Sequence, residues 1–191
     1  QVSVTTFNDV YAIRNKDHQT SLFALIGDPI EHSLGHIFHN QYFTKHEING
    51  VYVKIRITKN ELPSFIDYCF KLPFVGISVT MPLKKAVLPY VNNQSGIEAV
   101  NTLKITDNHI NAINTDGVGA LEAIEEIIKV ADKKILVIGA GGAATAIVAE
   151  ASQRGARIFI VNRTEEYAKQ LADQYSATAI EFGLTIDNEF D

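Results

Sequence analysis

The stretch KILVIGAGGAATAIVAEASQRGARIFIVNRT, Lys134 to Thr164, decides the fold. It opens with four apolar residues, Ile135 to Ile138, too short for a helix and β-branched enough for a buried parallel strand. Gly139-Ala140-Gly141-Gly142-Ala143-Ala144 then fits G-x-G-x-x-A. Gly139 permits the tight turn, Gly141 lets the backbone approach a pyrophosphate, and Ala144 is small enough for a helix to pack on the strand. The spacing predicts a helix to about Arg154, ended by Gly155, and a second strand over Arg157 to Val161. The result is a βαβ unit whose helix N-terminus offers free N–H groups to an anion.

Small residues in such a turn also serve plain helix packing. Here strand, turn, helix and second strand fall in the order that dinucleotide binding requires, and that order favours a ligand. The choice of dinucleotide is made about twenty residues on, where a carboxylate would hold a ribose 2′-OH. Asn162-Arg163-Thr164 stands there instead. A guanidinium at that point suits a 2′-phosphate, which favours NADP over NAD; the plainer reading of Arg163 is a solvated charge at a helix start. The candidate cofactor residues are Gly139, Ala140, Gly141, Gly142, Ala143, Asn162, Arg163 and Thr164.

The whole chain sets outer bounds. Its 191 residues, 46% of them apolar, suffice for one large domain or two small ones. A net charge of −5 without a block of Lys or Arg argues against a nucleic-acid groove, although a small anionic ligand needs only a local positive pocket. One cysteine, Cys69, has no partner for an internal disulfide, which fits a reducing, cytoplasmic setting (the plastid stroma in a plant) and a small core residue. The longest nearly uncharged run, Ile135 to Ala149, is interrupted by glycines and shorter than a bilayer requires, so no membrane partner is expected. The start at Gln1 rather than methionine points to a segment or a processed product.

Upstream, residues 1–21 read as a short helix and linker. Leu22 to Ile26 is a strand stopped by Gly27-Asp28-Pro29, and the segment from Ile30 leads into a helix reaching about His46. Val51 to Ile57 is a strand, Asn60 to Phe70 a helix with Asn60 as a possible cap, and Val75 to Thr80 a strand. Pro82 forces a loop or the first turn of a helix. Asn101 to Ile105 and Ile110 to Asn114 form a hairpin around Asp107-Asn108, and Asp116 or Thr115 then starts a long amphipathic helix, Gly119 to Val130, that leads into the dinucleotide unit. The expected architecture is α/β: a substrate-binding domain with a mixed sheet over 22–117, a connecting helix over 118–131, and a partial Rossmann-like doubly wound domain over 132–191.

Polar residues gather at the predicted strand ends, where such folds place ligands: Ser33, Ser78, Thr80, Lys84, Asn101 and Asn114 to Asp116. A lysine after a buried strand, near a carboxylate from a neighbouring loop, suits a proton donor or an anchor for an oxygen substrate. The bland alternatives are a surface lysine at 84 and a helix cap at Asp116. His32, His36 and His39 would share one face of a continuous helix, as a zinc site requires. Gly35 weakens that helix and no supporting carboxylate is evident, so no metal is assigned.

With these motifs in place, the chain resembles the shikimate dehydrogenases from Leu22 onward. Gly27-Asp28-Pro29-Ile30-Glu31-His32-Ser33 looks like the family's opening G-x-P-x-x-H-S, and Ser78-Val79-Thr80-Met81-Pro82-Leu83-Lys84 like its N-V-T-x-P-x-K. Ala99-Val100-Asn101-Thr102, Asn114 to Gly119, Gly139 to Ala143 and Asn162-Arg163-Thr164 resemble its A-x-N-T, N-T-D-G-x-G, G-A-G-G-A and N-R-T. The resemblance implies NADP-dependent reduction of 3-dehydroshikimate to shikimate, a step of aromatic amino acid biosynthesis. It implies Lys84 and Asp116 as the catalytic pair, which with Ser33, Thr80 and Asn101 would bind substrate, and Arg163 on the 2′-phosphate. Gln1 to Arg14 is similar to the junction in enzymes where a 3-dehydroquinate dehydratase precedes this domain, so a fused or neighbouring dehydratase is an expected partner.

Two departures stand out. The family usually reads H-S-x-S-P, and here Gly35 and His36 fill the last two positions. One hydroxyl donor to a substrate carboxylate is gone, which opens the alternative of a quinate-type NAD(P) oxidoreductase. The second departure is that only about half of a six-strand Rossmann domain precedes Asp191, with a third strand expected over Ala177 to Phe182. This implies that the segment alone is inactive, or that it is a non-catalytic NADP or metabolite-binding remnant.

Overall fold

The alternation of short β-branched runs with amphipathic stretches produces two sheets, each with its own core. The computed structural model describes residues 3–94, 96–107, 109–181 and 190–191. Residues 1–95 with 100–113 form one compact unit, and 96–99 with 114–191 the other.

In the first unit the elements run β1 (Ser21–Gly27), α1 (Gly35–Lys45), β2 (Gly50–Arg56), α2 (Leu62–Cys69), β3 (Phe74–Val79), α3 (Leu83–Ala86), β4 (Asn92–Asn93), β5 (Thr102–Ile105) and β6 (Ile110–Ile113). The sheet order is β2-β1-β3-β5-β6-β4. Strands β1, β2 and β3 are parallel, while β5 runs antiparallel to both β3 and β6. Because β1 lies between two parallel neighbours, both its faces must be covered, and this is why its sequence is apolar at nearly every position. Ile26, Leu62, Cys69, Ile77, Val79, Leu83 and Leu103 fill the core on one side. Leu25, Ile30, Phe43 and Tyr52 pack on the other. Cys69 donates to the Phe65 carbonyl at 3.4 Å, and burial pushes its thiol up to about 12, so it serves as a core residue.

Strand β2 is an edge, and its outward backbone groups are met by side chains. Asn40 on α1 donates to the Tyr52 carbonyl at 2.7 Å and accepts from the Tyr52 N–H at 2.9 Å, so one amide side chain imitates a neighbouring strand. Two residues along, the Tyr11 phenol stands beside the Lys54 backbone, which opposes the rise that burial gives its pKa. Residues 3–20 therefore do more than link. They carry helical turns at Thr6–Val10 and Ile13–Asn15, and Tyr11 is buried.

The second unit contains α4 (Asp116–Glu125), β7 (Lys134–Ile138), α5 (Gly142–Gln153), β8 (Arg157–Val161), α6 (Glu165–Tyr175) and β9 (Thr178–Ile180), with a parallel sheet in the order β7-β8-β9. The third strand is shorter than expected, and Phe182, like Asn108 of the hairpin turn, lies outside the described residues. Val130, Val137, Val148, Ile158, Ile160 and Leu171 form the core. Helix α4 starts at Asp116 with Thr115 at the cap, as expected, and ends earlier than the periodicity predicts. Its end is set by Glu125, whose carboxylate accepts the Val130 N–H at 3.3 Å and pairs with Arg154 at 2.9 Å. Likewise Asn60 does not cap α2; Glu61 stands at the cap, with its carboxylate bonded to Thr58.

Helix α4 is a packed element of this unit, not a free connector. At Gly117 a Cβ would collide with the Ala146 carbonyl oxygen and lie 3.0 Å from Glu150 Cβ, so glycine sets the approach of α4 to α5. Alanine should gain about 1 kcal/mol in helix propensity. Overpacking against backbone costs roughly 1–3 kcal/mol, so the expected outcome of Gly117→Ala is a net loss. Denaturant unfolding checks this, and a stabilised variant would contradict the tight approach.

Candidate active site

One end of the sheet in the first unit brings Thr80, Lys84 and Asn101 together. Thr80 N–H donates to the Ile26 carbonyl at 2.9 Å, and Asp28 N–H to the Met81 carbonyl at 3.0 Å. The turns Gly27-Asp28-Pro29 and Thr80-Met81-Pro82 thus lie back to back, each with a cis X-Pro bond. Only glycine fits at 27: a Cβ would collide with Thr80 Cγ2 and sit 2.8 Å from the Met81 oxygen. Lys84 follows on the short helix α3, and its carbonyl accepts the Val100 N–H at 2.9 Å. The Asn101 carbonyl accepts from Val79 N–H at 2.7 Å, and its Oδ1 accepts from Thr102 Oγ1 at 2.9 Å. Thr80, Lys84 and Asn101 are all half-buried, which suits residues awaiting a small polar ligand.

Ser33 is held in the turn before α1. Its Oγ accepts from the Gly35 N–H at 3.3 Å, and its carbonyl accepts from Lys54 Nζ, also at 3.3 Å. The same ammonium donates to the Glu31 carbonyl at 3.1 Å. A Cβ on Gly35 would lie 3.5 Å from Ser33 Oγ and 3.8 Å from Tyr52 Oη. The volume beside Ser33 that a second serine would use is therefore bordered by the Tyr52 phenol. Sequence reading passed over Tyr52 and Lys54. Their only signal was membership of the strand Val51 to Ile57.

The three histidines part company. His32 lies in the turn before α1, His36 packs on Tyr11 with ring centroids 6.1 Å apart, and His39 stacks on Tyr52 at 4.3 Å. Among the described residues no group of three or more His, Cys, Asp or Glu is arranged to hold a metal ion. His36 Nδ1 is buried without a formed hydrogen bond among the described residues. Burial holds the His36 pKa down, the Lys54 ammonium acts in the same direction, and the Ser33 backbone opposes them. Desolvation lowers His39 too.

These histidines take up protons more readily when unfolded, so stability should fall as pH drops below the ordinary imidazole value of about 6.5. The carboxylates of Asp17 and Glu61, held low chiefly by side-chain hydrogen bonds from Asn49 and Thr58, contribute at lower pH. Their stabilisation is lost as pH falls below about 4. Thermal unfolding at pH 7.5 and 5.5 should show a decrease that His36→Gln reduces; an unchanged decrease would assign it elsewhere.

In the second unit, Asn114 organises the start of α4. Its Nδ2 donates to the Ala99 carbonyl at 2.7 Å, and its Oδ1 accepts the Asp116 N–H at 2.8 Å. Asp116 is thereby fixed as the first residue of α4, half-buried. Lys84 belongs to the first unit and Asp116 to the second.

The candidate cofactor residues meet at one end of the second sheet. Gly139 adopts φ +116°, the conformation that favours glycine, and its N–H donates to the Val161 carbonyl at 2.7 Å, which joins the turn after β7 to the end of β8. Gly141 caps α5, and both glycines face open space where a Cβ would stand. Gly142 and Ala143 begin α5, whose first-turn N–H groups have no partner within the helix. Asn162 Nδ2 donates to the Thr164 carbonyl at 2.8 Å, ordering the turn in which Arg163 is exposed and Thr164 caps α6. Open backbone, a helix N-terminus and an adjacent guanidinium together fit a phosphorylated dinucleotide.

Comparisons with known proteins cover most of both units. Residues 25–103 match the shikimate dehydrogenase substrate binding domain, and residues 122–187 match the model described as shikimate / quinate 5-dehydrogenase. The NADP(+) shikimate dehydrogenase of Methanococcoides burtonii is 41% identical over 169 residues, covering 86% of this chain and 62% of that protein. The shikimate biosynthesis protein AroDE of Chlamydia muridarum is 38% identical over 176 residues, covering 90% of this chain and 37% of that protein. The crystal structure of the Aquifex aeolicus shikimate dehydrogenase superimposes with a TM-score of 0.82 at 34% identity, covering 86% of this chain and 64% of that one. A shikimate dehydrogenase in complex with NADP+ gives the same TM-score at 36% identity, with 90% and 65% covered. The chain thus spans less than two thirds of these relatives, with an α/β fold and a mixed first sheet in common. Family models, relatives and fold agree, and the chain belongs to the shikimate dehydrogenase family.

Proposed function

We propose that this chain supplies the substrate-binding unit and the dinucleotide-binding turn of an NADP-dependent shikimate dehydrogenase, which reduces 3-dehydroshikimate to shikimate. The observation that carries the reading is the backbone lattice joining the Gly27, Thr80–Lys84 and Asn101 segments, which sets Thr80, Lys84 and Asn101 at one sheet end. Ser33 and the Tyr52 phenol bracket a neighbouring volume suited to a carboxylate, and Lys54 adds positive potential behind Ser33. Thr80 and Asn101 offer hydroxyl and amide groups that match a polyhydroxylated ring. The Gly139–Ala143 turn and Arg163 bind NADP in this reading.

A nicotinamide dinucleotide held by the Gly139–Ala143 turn and Arg163 would supply the hydride for the ketone carbon. Lys84 gives or relays a proton to the alkoxide oxygen that develops there, and Asp116 hydrogen-bonds to the same edge of the substrate and orients it. A dehydratase fused to or acting beside this chain would produce the ketone; the similarity to AroDE, of which the chain covers 37%, supports that arrangement.

The test is steady-state turnover of the intact protein with NADP+ or NAD and with shikimate or quinate. Preference for shikimate and NADP+ is expected. Gly35 favours one second reading, because the space it leaves beside Ser33 and Tyr52 would admit the additional ring hydroxyl of quinate. A higher kcat/KM for quinate would establish that reading, and NADP binding without turnover of either acid would leave a non-catalytic binding protein.

A further inference from the structure

Tyr11 precedes the first strand, in a segment where Thr20 is the one other buried residue among those described, and it is only 6% exposed. Its ring lies against His36, Phe7 closes over it edge-on at 6.0 Å, and its phenol stands beside the Lys54 backbone. Lys54 and His36 flank Ser33. Lys54 Nζ holds the Glu31 and Ser33 carbonyls, and His36 opens the helix that follows. The turn they flank contains Gly35, which adds backbone freedom next to Ser33. One support of the Ser33 turn, the His36 ring, therefore packs on a tyrosine from outside the sheet.

We propose that Tyr11 is a positioning residue that holds the turn Ile30–His36 in its ligand-ready geometry, so that the N-terminal segment sets substrate affinity without touching substrate. This rests on the reading that Ser33 binds substrate. Ordering the turn before binding removes an entropic cost that the ligand would otherwise meet. The hydride step does not involve Ser33, so the effect falls on KM and not on kcat.

The experiment compares Tyr11→Ala, Tyr11→Leu and Tyr11→Phe in the intact protein, by amide hydrogen exchange without ligand and by steady-state kinetics. Tyr11→Ala should speed exchange over residues 30–36 and raise KM for shikimate about tenfold, with kcat changed less than about twofold. KM for NADP+ should not change. Tyr11→Phe, which keeps the ring on His36, should stay close to wild type, and Tyr11→Leu provides the comparison if the alanine variant does not fold. Unchanged exchange in the turn, or faster exchange with unchanged KM, would overturn the proposal, as would parallel losses in kcat and in KM for both substrates. A wild-type protein that does not turn over shikimate would defeat the functional reading instead, and the exchange data would still judge the support of the turn.

Discussion

Lys84→Ala in the intact protein is expected to lower kcat by on the order of 10²-fold or more, since general acid help contributes about 10²–10⁴. Thermal stability should change little. The lysine side chain is half-buried on the four-residue helix α3, while the core contact of that helix is made by Leu83, which is fully buried. The fold near Lys84 is held by its backbone carbonyl, which alanine retains. Asp116→Ala should act in the same direction. The Asp116 contact to Asn114 is through its backbone N–H and survives the substitution. If both groups serve one proton relay, the double variant should lose less than the product of the single losses. Full turnover by Lys84→Ala would remove the acid role and leave water as the proton donor, whereas a fall in Tm ahead of any fall in kcat would make Lys84 structural.

The second large effect is expected at Arg163. A charge-assisted hydrogen bond to phosphate is worth about 1.5–3 kcal/mol, so Arg163→Ala should weaken NADP+ by roughly 10- to 150-fold and NAD much less. Arg163 is exposed at the start of the turn before α6, and the order of that turn comes from Asn162 and the Thr164 carbonyl. Its removal should therefore spare the fold. Titration of both dinucleotides checks the selectivity. Equal weakening of the two would assign Arg163 to the pyrophosphate or to the turn itself. Arg163→Lys keeps the charge but loses the planar fork, and an intermediate preference is expected from it.

Features legible in the sequence are those whose physical cause is local. Ile135 to Ile138, a turn that needs φ above zero at Gly139, and a helix ending at Gly155 with φ +80° can each be read from a few adjacent residues. The same holds for the strand ends that carry Ser33, Thr80, Lys84 and Asn101, because a strand followed by Gly-Asp-Pro or Met-Pro has only one way to stop. Fold class and most candidate site residues were accessible on that basis, with the family resemblance supplying their roles.

The tertiary structure decided whatever depends on a partner distant along the chain. Asn40 reads as an ordinary helix residue until its amide is seen completing the edge of β2 at Tyr52. Helix α4 has the periodicity to continue to Val130, but Glu125 takes the Val130 N–H and the Arg154 guanidinium, and the helix ends there. Gly117 looks like a weak helix former and is instead the contact that admits α5. Tyr11 reads as a stray aromatic in a linker, and its burial comes from Lys54 and His36, each more than twenty residues away in sequence. The sequence alone determined where the backbone turns and which groups stand at the turns, because sterics and φ preferences act between neighbours. Which side chains support those groups was settled only by packing, because burial and hydrogen-bond pairing are properties of the assembled fold.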